Sequence, residues 1–92
     1  MRYQELSSFV RSFKKLSPQE KIKIKKSLLT LIDAFEKRVI PPGLGLKKIS
    51  SHIWELRVGL DLRIIFLLEN DLVELGFVGT HDQIRKFLRS KK

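Results

Sequence analysis

The chain has 92 residues and a mass of 10.8 kDa, with 42% hydrophobic and 32% charged residues. That is room for one domain, residues 1–92, around a small core, and it excludes a second domain or a disordered chain. The absence of cysteine excludes disulfides, zinc ribbons and thiol nucleophiles, while a net charge of +9 and a pI near 10.2 point to a polyanionic partner.

Met1-Arg2-Tyr3-Gln4-Glu5-Leu6 carries no apolar signal run, and the longest apolar stretch, Ile64 to Leu68, is far too short to span a bilayer. A cytoplasmic protein that does not engage a membrane is expected. Tyr3 to Leu6 is open between an edge strand and a lead-in to a helix. From Ser7 to Lys15, the spacing of Phe9, Val10, Phe13 and then Leu16 predicts a first helix.

Ser17-Pro18-Gln19-Glu20 is a capping box with proline at the first helical position. It starts a long helix running to about Arg38, with Ile24, Leu28, Leu31, Ile32 and Phe35 on its apolar face. Lys21, Lys23, Lys25 and Lys26 crowd its first turns. Pro41-Pro42-Gly43-Leu44-Gly45 reads as a helix stop and linker loop, followed by a basic turn at Lys47 and Lys48.

His52 to Val58 alternates, with His52, Trp54, Leu56 and Val58 on one face and Ile53, Glu55 and Arg57 on the other. Leu62 to Leu68 forms the next strand. A three-residue Gly59-Leu60-Asp61 loop pairs Val58 with Leu62, Arg57 with Arg63 and Trp54 with Phe66, so the apolar faces coincide. Around an Asn70-Asp71 turn, Leu68 then pairs with Val73, Phe66 with Leu75 and Ile64 with Phe77, which sets Arg63 beside Val78. Thr80 is placed to cap a last helix from Asp82 to Arg89, carrying Ile84, Phe87 and Leu88. The expected class is α+β. A three-strand antiparallel meander, with room for a short N-terminal strand, has two N-terminal helices on its apolar face and a short C-terminal helix.

The polar face of that meander holds the unusual chemistry. Arg57 and Arg63 lie directly opposite each other, and like charges so placed repel. Either they splay into water, with Glu55 bridging to one, or they converge on a phosphate. His81 follows the third strand closely enough to reach the same end of the sheet. Arginine stabilises charge on phosphate oxygens and histidine moves a proton near neutrality. His52 reads as a core or rim histidine. The two histidines lack metal-ligand spacing, and no Gly-rich phosphate loop is present, so neither a metal nor a cofactor is expected.

The run from Lys47-Lys48-Ile49 to Trp54-Glu55-Leu56-Arg57-Val58-Gly59, then Leu62-Arg63-Ile64-Ile65-Phe66, then Val78-Gly79-Thr80-His81-Asp82, resembles the RelE/ParE toxin superfamily. Its Gly-Thr-His is similar to the YafQ branch. The resemblance implies a toxin of a type II toxin–antitoxin pair that docks on the ribosome and cuts messenger RNA without a metal. The 2′-hydroxyl attacks the adjacent phosphorus and the 5′-oxygen leaves.

By the same resemblance, Arg63 takes the place of the phosphate-stabilising arginine, and His81 that of the C-terminal proton-transferring group. Arg57 and Glu55 lie on the strand that supplies further basic or acid–base residues. Lys47 and Lys48 are expected on RNA backbone, with Phe87 as a stacking ring and Arg85 beside it against RNA. Apart from the resemblance, the crowded lysines of the long helix, Lys25 and Lys26 among them, read either as a solvated face or as a nucleic-acid footprint. Leu62 replaces the tyrosine common before the arginine, and Arg85 stands where some relatives have an aromatic. The partners implied are a cognate antitoxin, the ribosome and messenger RNA. Two other functions stay open: a non-enzymatic gyrase inhibitor of the ParE type, and a basic RNA-binding module without catalysis.

Overall fold

Three packed elements supply the core: the long helix, the first helix and one face of a sheet. In the computed structural model, which describes residues 1–90, the order is β1 (Arg2–Glu5), α1 (Ser7–Lys14), α2 (Pro18–Lys37), β2 (Leu46–Lys48), β3 (Ile53–Val58), β4 (Leu62–Glu69), β5 (Leu72–Thr80) and α3 (His81–Ser90). Phe9 of α1 and Ile24 and Leu31 of α2 pack on Leu56, Val58, Leu62, Ile64, Phe66, Val73, Leu75 and Val78 of the sheet. No described helix is long and apolar enough to cross a membrane.

The capping box forms as the sequence predicts. Ser17 Oγ accepts from the Glu20 N–H at 3.1 Å, and Glu20 Oε1 accepts from the Ser17 N–H at 2.8 Å. At its other end α2 stops earlier than the glycines. Arg38 itself adopts the left-handed conformation at φ 57° and closes the helix with bonds to Ala34 and Phe35 carbonyls. The Gly43–Gly45 pair is therefore no helix stop.

The sheet is larger than the meander and is mixed. Its five strands run β1-β5-β4-β3-β2, with β1 parallel to β5 and the other pairs antiparallel. Residues 3 to 5, open between strand and lead-in, belong to β1. Lys47 and Lys48 are not a turn but part of edge strand β2, opposite Glu55 and Trp54. The hairpin registers hold where turn length fixes them. Arg57 faces Arg63, Trp54 faces Phe66, and Phe66 faces Leu75.

One register fails. A bulge at Ile65/Phe66 leaves Gly76 unpaired, so Ile64 faces Val78 rather than Phe77, and Arg63 faces Gly79 rather than Val78. The extra residue turns Phe77 onto the polar face, where its ring stacks on Phe87 of α3 at 4.6 Å and 14°. Buried Ile65 and Ile84 lie outside the main core cluster. They accompany this second packing layer, because α3 lies on β5 and β4 from the face opposite α2.

Where β1 ends, α1 takes over the edge of β5. The Leu6 N–H donates to the Leu75 carbonyl, the Ser8 hydroxyl to the Gly76 carbonyl, and Ser12 Oγ accepts from the Val78 N–H at 3.1 Å. Two serines thus satisfy backbone groups that a longer strand would have paired. Ser12→Ala leaves the Val78 N–H unsatisfied in the interior and is expected to cost about 1–3 kcal/mol, read by urea unfolding. On β1 itself, burial and then the Glu36 carboxylate push the Tyr3 phenol above its ordinary pKa; its hydroxyl donates to Glu36 Oε1 at 3.3 Å.

Candidate phosphate-binding cleft

Alternation along β3 and β4 sends Glu55, Arg57, Arg63 and Ile65 to the face away from α2. Edge strand β2 adds Lys47 to the same face, opposite Glu55. Glu55, Arg57, Arg63 and Lys47, together with Gly45 and Leu46, line a cleft of about 320 Å³. The sheet is its floor, and Lys47, Arg57 and Arg63 bring three cations to one small volume.

The charges inside it are not equivalent. Arg63 Nη1 donates to Glu55 Oε2 at 3.1 Å, with the Glu55 side chain only 9% exposed and that of Arg63 23%. Arg57 is exposed. Glu55 therefore bridges one member of the arginine pair, which lowers the repulsion that their register imposes. A carboxylate so enclosed and so close to a guanidinium orients that guanidinium, and leaves its remaining N–H groups for a second anion.

Two glycines let neighbouring segments approach the arginine-bearing strands, Gly45 at the cleft and Gly79 beneath α3. Gly45 has φ +80°, and its carbonyl accepts from the Arg57 N–H at 3.0 Å; a Cβ there would lie 3.3 Å from the Arg57 Cβ. Only glycine takes that backbone conformation cheaply and lets the loop touch β3 beside Arg57. Gly79, the cross-strand partner of Arg63, lies under the first turn of α3, where an added Cβ would be 2.5 Å from Gln83 Oε1. Gln83 is held there by a second capping box. Its Oε1 accepts from the Thr80 N–H at 2.9 Å, and its own N–H donates to Thr80 Oγ1 at 3.3 Å. Thr80 caps α3 as expected, and the helix begins at His81 rather than at Asp82. Gln83 was missed, although Thr80-x-x-Gln83 is a legible capping signature.

The remaining expected residues disperse. His81 opens α3, two residues beyond the partner of Arg63; it is exposed and does not line the cleft. Arg85 is exposed on α3, whereas half-buried Phe87 stacks on Phe77. Lys48 points the other way from Lys47, with its Nζ 5.8 Å from the centre of the Trp54 ring. Lys25 and Lys26 are exposed on α2, which covers the opposite face of the sheet, so they and the cleft do not share one footprint. His52 is a rim residue beside β3, exposed, with its Nε2 3.1 Å from Glu69 Oε2. No group of three or more candidate metal ligands occurs among the described residues.

No family model and no curated protein sequence matches the chain. Solved structures do. The RelB–RelE antitoxin–toxin complex of Methanococcus jannaschii includes a chain matched at 20% identity with a TM-score of 0.70, over 91% of this chain and 96% of that one. YafQ from Escherichia coli BL21(DE3) matches at 19% identity and 0.63, over 91% and 98%. The YoeB dimer of Staphylococcus aureus matches at 14% and 0.63, over 88% and 97%. At these identities the likeness is one of architecture: the chain has the RelE-like toxin fold over nearly its whole length.

Proposed function

We propose that the protein is the toxin of a type II toxin–antitoxin pair and acts as a ribosome-dependent, metal-independent endoribonuclease on messenger RNA. The observation that carries this reading is the cleft, in which Arg57 and Arg63 stand face to face, Lys47 lies at the rim, and Glu55 holds one arginine. The fold shared with RelE, YafQ and YoeB supports it, and the toxin–antitoxin complexes among those structures support a cognate antitoxin as partner.

In this proposal, Arg63 and Arg57 bind the non-bridging oxygens of one phosphodiester and offset the charge that grows as the 2′-hydroxyl attacks phosphorus. The bond to the 5′-oxygen breaks, leaving a 2′,3′-cyclic phosphate on the upstream fragment. His81, which opens α3 outside the cleft lining and two residues beyond the cross-strand partner of Arg63, is the group assigned to supply the proton to the departing oxygen or to take that of the attacking hydroxyl, once RNA spans from the cleft to the start of α3. Glu55 serves by orienting Arg63, since its carboxylate is already committed to that guanidinium. Lys47 and exposed Arg85 meet RNA backbone around the cleft. Lys25 and Lys26, on the far side of the sheet, are left to a separate stretch of polyanion such as ribosomal RNA.

The test is to map RNA ends after controlled induction in cells. Codon-phased cuts in translated messages, and purified protein that cuts messenger RNA only with ribosomes present, are the expected results. DNA damage without new message ends would instead favour gyrase inhibition. Ribosome binding without any cut would favour a module that binds RNA and performs no chemistry.

A further inference from the structure

A second concavity lies on the other face of the sheet. Phe35 of α2, Ile40 of the following loop, Leu46 of β2, Trp54 of β3 and Leu68 of β4 line an apolar groove of about 280 Å³. These residues flank the core cluster without being fully enclosed by it. The groove has room for one or two large side chains. Ile40 is 48% exposed and Val39 beside it 63%, so the approach is apolar as well. Leu46 alone belongs to both this groove and the phosphate cleft.

The surrounding charge says what kind of chain fits. Residues 37 to 48 include Lys37, Arg38, Lys47 and Lys48 and no carboxylate. Lys48 Nζ stands over the Trp54 ring at the groove itself. Of the neighbouring acids, Asp33 is paired with Lys37 at 3.2 Å and Glu69 with His52 at 3.1 Å. A second copy of this chain would bring the same basic rim and another +9 of charge.

We infer that the groove formed by Phe35, Ile40, Leu46, Trp54 and Leu68 anchors an acidic, apolar segment of the antitoxin. One or two of its large side chains fill the groove, and its carboxylates meet Arg38 and Lys48. The inference rests on the toxin–antitoxin reading and adds to it that the antitoxin's anchor and the RNA cleft are separate surfaces on opposite faces of the sheet. Edge strand β2 lies between them, so a chain anchored in the groove needs to pass only one strand to reach the cleft rim.

Separate surfaces can be separated by mutation. Ile40→Asp places a charge at the groove from a half-exposed loop position that the core does not need. Ile22→Asp is the control: it is an exposed apolar site on α2, thirteen residues and ~20 Å of helix from Phe35. Each variant is induced alone and together with the product of the adjacent open reading frame, and the purified complexes are titrated. Growth arrest by all three toxins when expressed alone shows that they fold and act.

The expected result is that the neighbour rescues growth with the native chain and with Ile40→Asp's control but not with Ile40→Asp, whose complex is about thirtyfold weaker or worse. Equal rescue of Ile40→Asp would overturn the anchor while leaving the toxin reading intact. Absence of arrest by the native chain would instead sink the toxin reading. A neighbour that fails to rescue even the native chain would remove the antitoxin pairing and the anchor with it.

Discussion

Arg63→Ala is expected to abolish growth arrest and to lower ribosome-dependent cleavage about 10²–10³-fold, the usual effect of removing one charged donor aimed at a transition-state oxygen. Its neighbour explains why the loss should be so large. Arg57 is the other guanidinium of the cleft, but it is exposed and lacks the carboxylate that fixes Arg63. Freed of Arg63, the Glu55 carboxylate faces the cleft without its partner, and its charge works against the phosphate that Arg57 and Lys47 still attract. The same substitution removes the partner of a carboxylate that is 9% exposed and is expected to cost about 1–3 kcal/mol of stability. Activity and unfolding must therefore be measured on the same preparation. Arg63→Lys separates the two effects, because it keeps the charge but not the planar fork that can hold Glu55 and a phosphate together. It should recover most of the stability and only part of the cleavage rate. Full activity in a folded Arg63→Ala protein would move the chemistry away from this cleft.

Much of this site can be read from alternation. Turns of three and two residues pin the hairpin registers, and every residue of β3 and β4 then has its face. The facing arginines follow from that alone; alternation puts Glu55 on their face, but its bridge to Arg63 is only one of two alternatives until the side chains are seen. The bulge does not, because Leu75-Gly76-Phe77-Val78 is apolar or small throughout and gives the eye no alternation to break. With the slip unseen, Phe77 reads as core, and the second layer beneath α3 goes unnoticed. Strands β1 and β2 are four and three residues long and gain their identity from partners far along the chain, which is information that local pattern lacks. The distant position of Lys25 and Lys26 was legible. Ile24 already turned α2 toward the apolar side of the sheet, and its lysines therefore away from the polar one.

Glu55 offers the second large effect, and two substitutions distinguish its possible roles. If its carboxylate takes a proton during cleavage, Glu55→Gln and Glu55→Ala should be equally inactive, and one limb of the pH–rate profile should vanish with either. If it holds Arg63, the glutamine carbonyl still accepts from Nη1 and keeps much of the rate with an unmoved pH profile. The alanine lets Arg63 drift and leaves two guanidiniums opposed with nothing between them. The geometry favours the second outcome, with Glu55→Ala at least ~10-fold slower than Glu55→Gln, the fold-change that about 1.4 kcal/mol of lost positioning produces. Stability adds an independent check through a double-mutant cycle. Glu55→Ala and Arg63→Ala should each destabilise, and the double variant should lose less than their sum by about 1 kcal/mol, the solvent-facing side of Arg63 keeping the coupling modest. That double variant, less destabilised than the sum of its parts yet still inactive, would show that the pair matters to the phosphate it prepares to receive beyond what it gives the fold; strict additivity would mean that the two side chains do not act on one another.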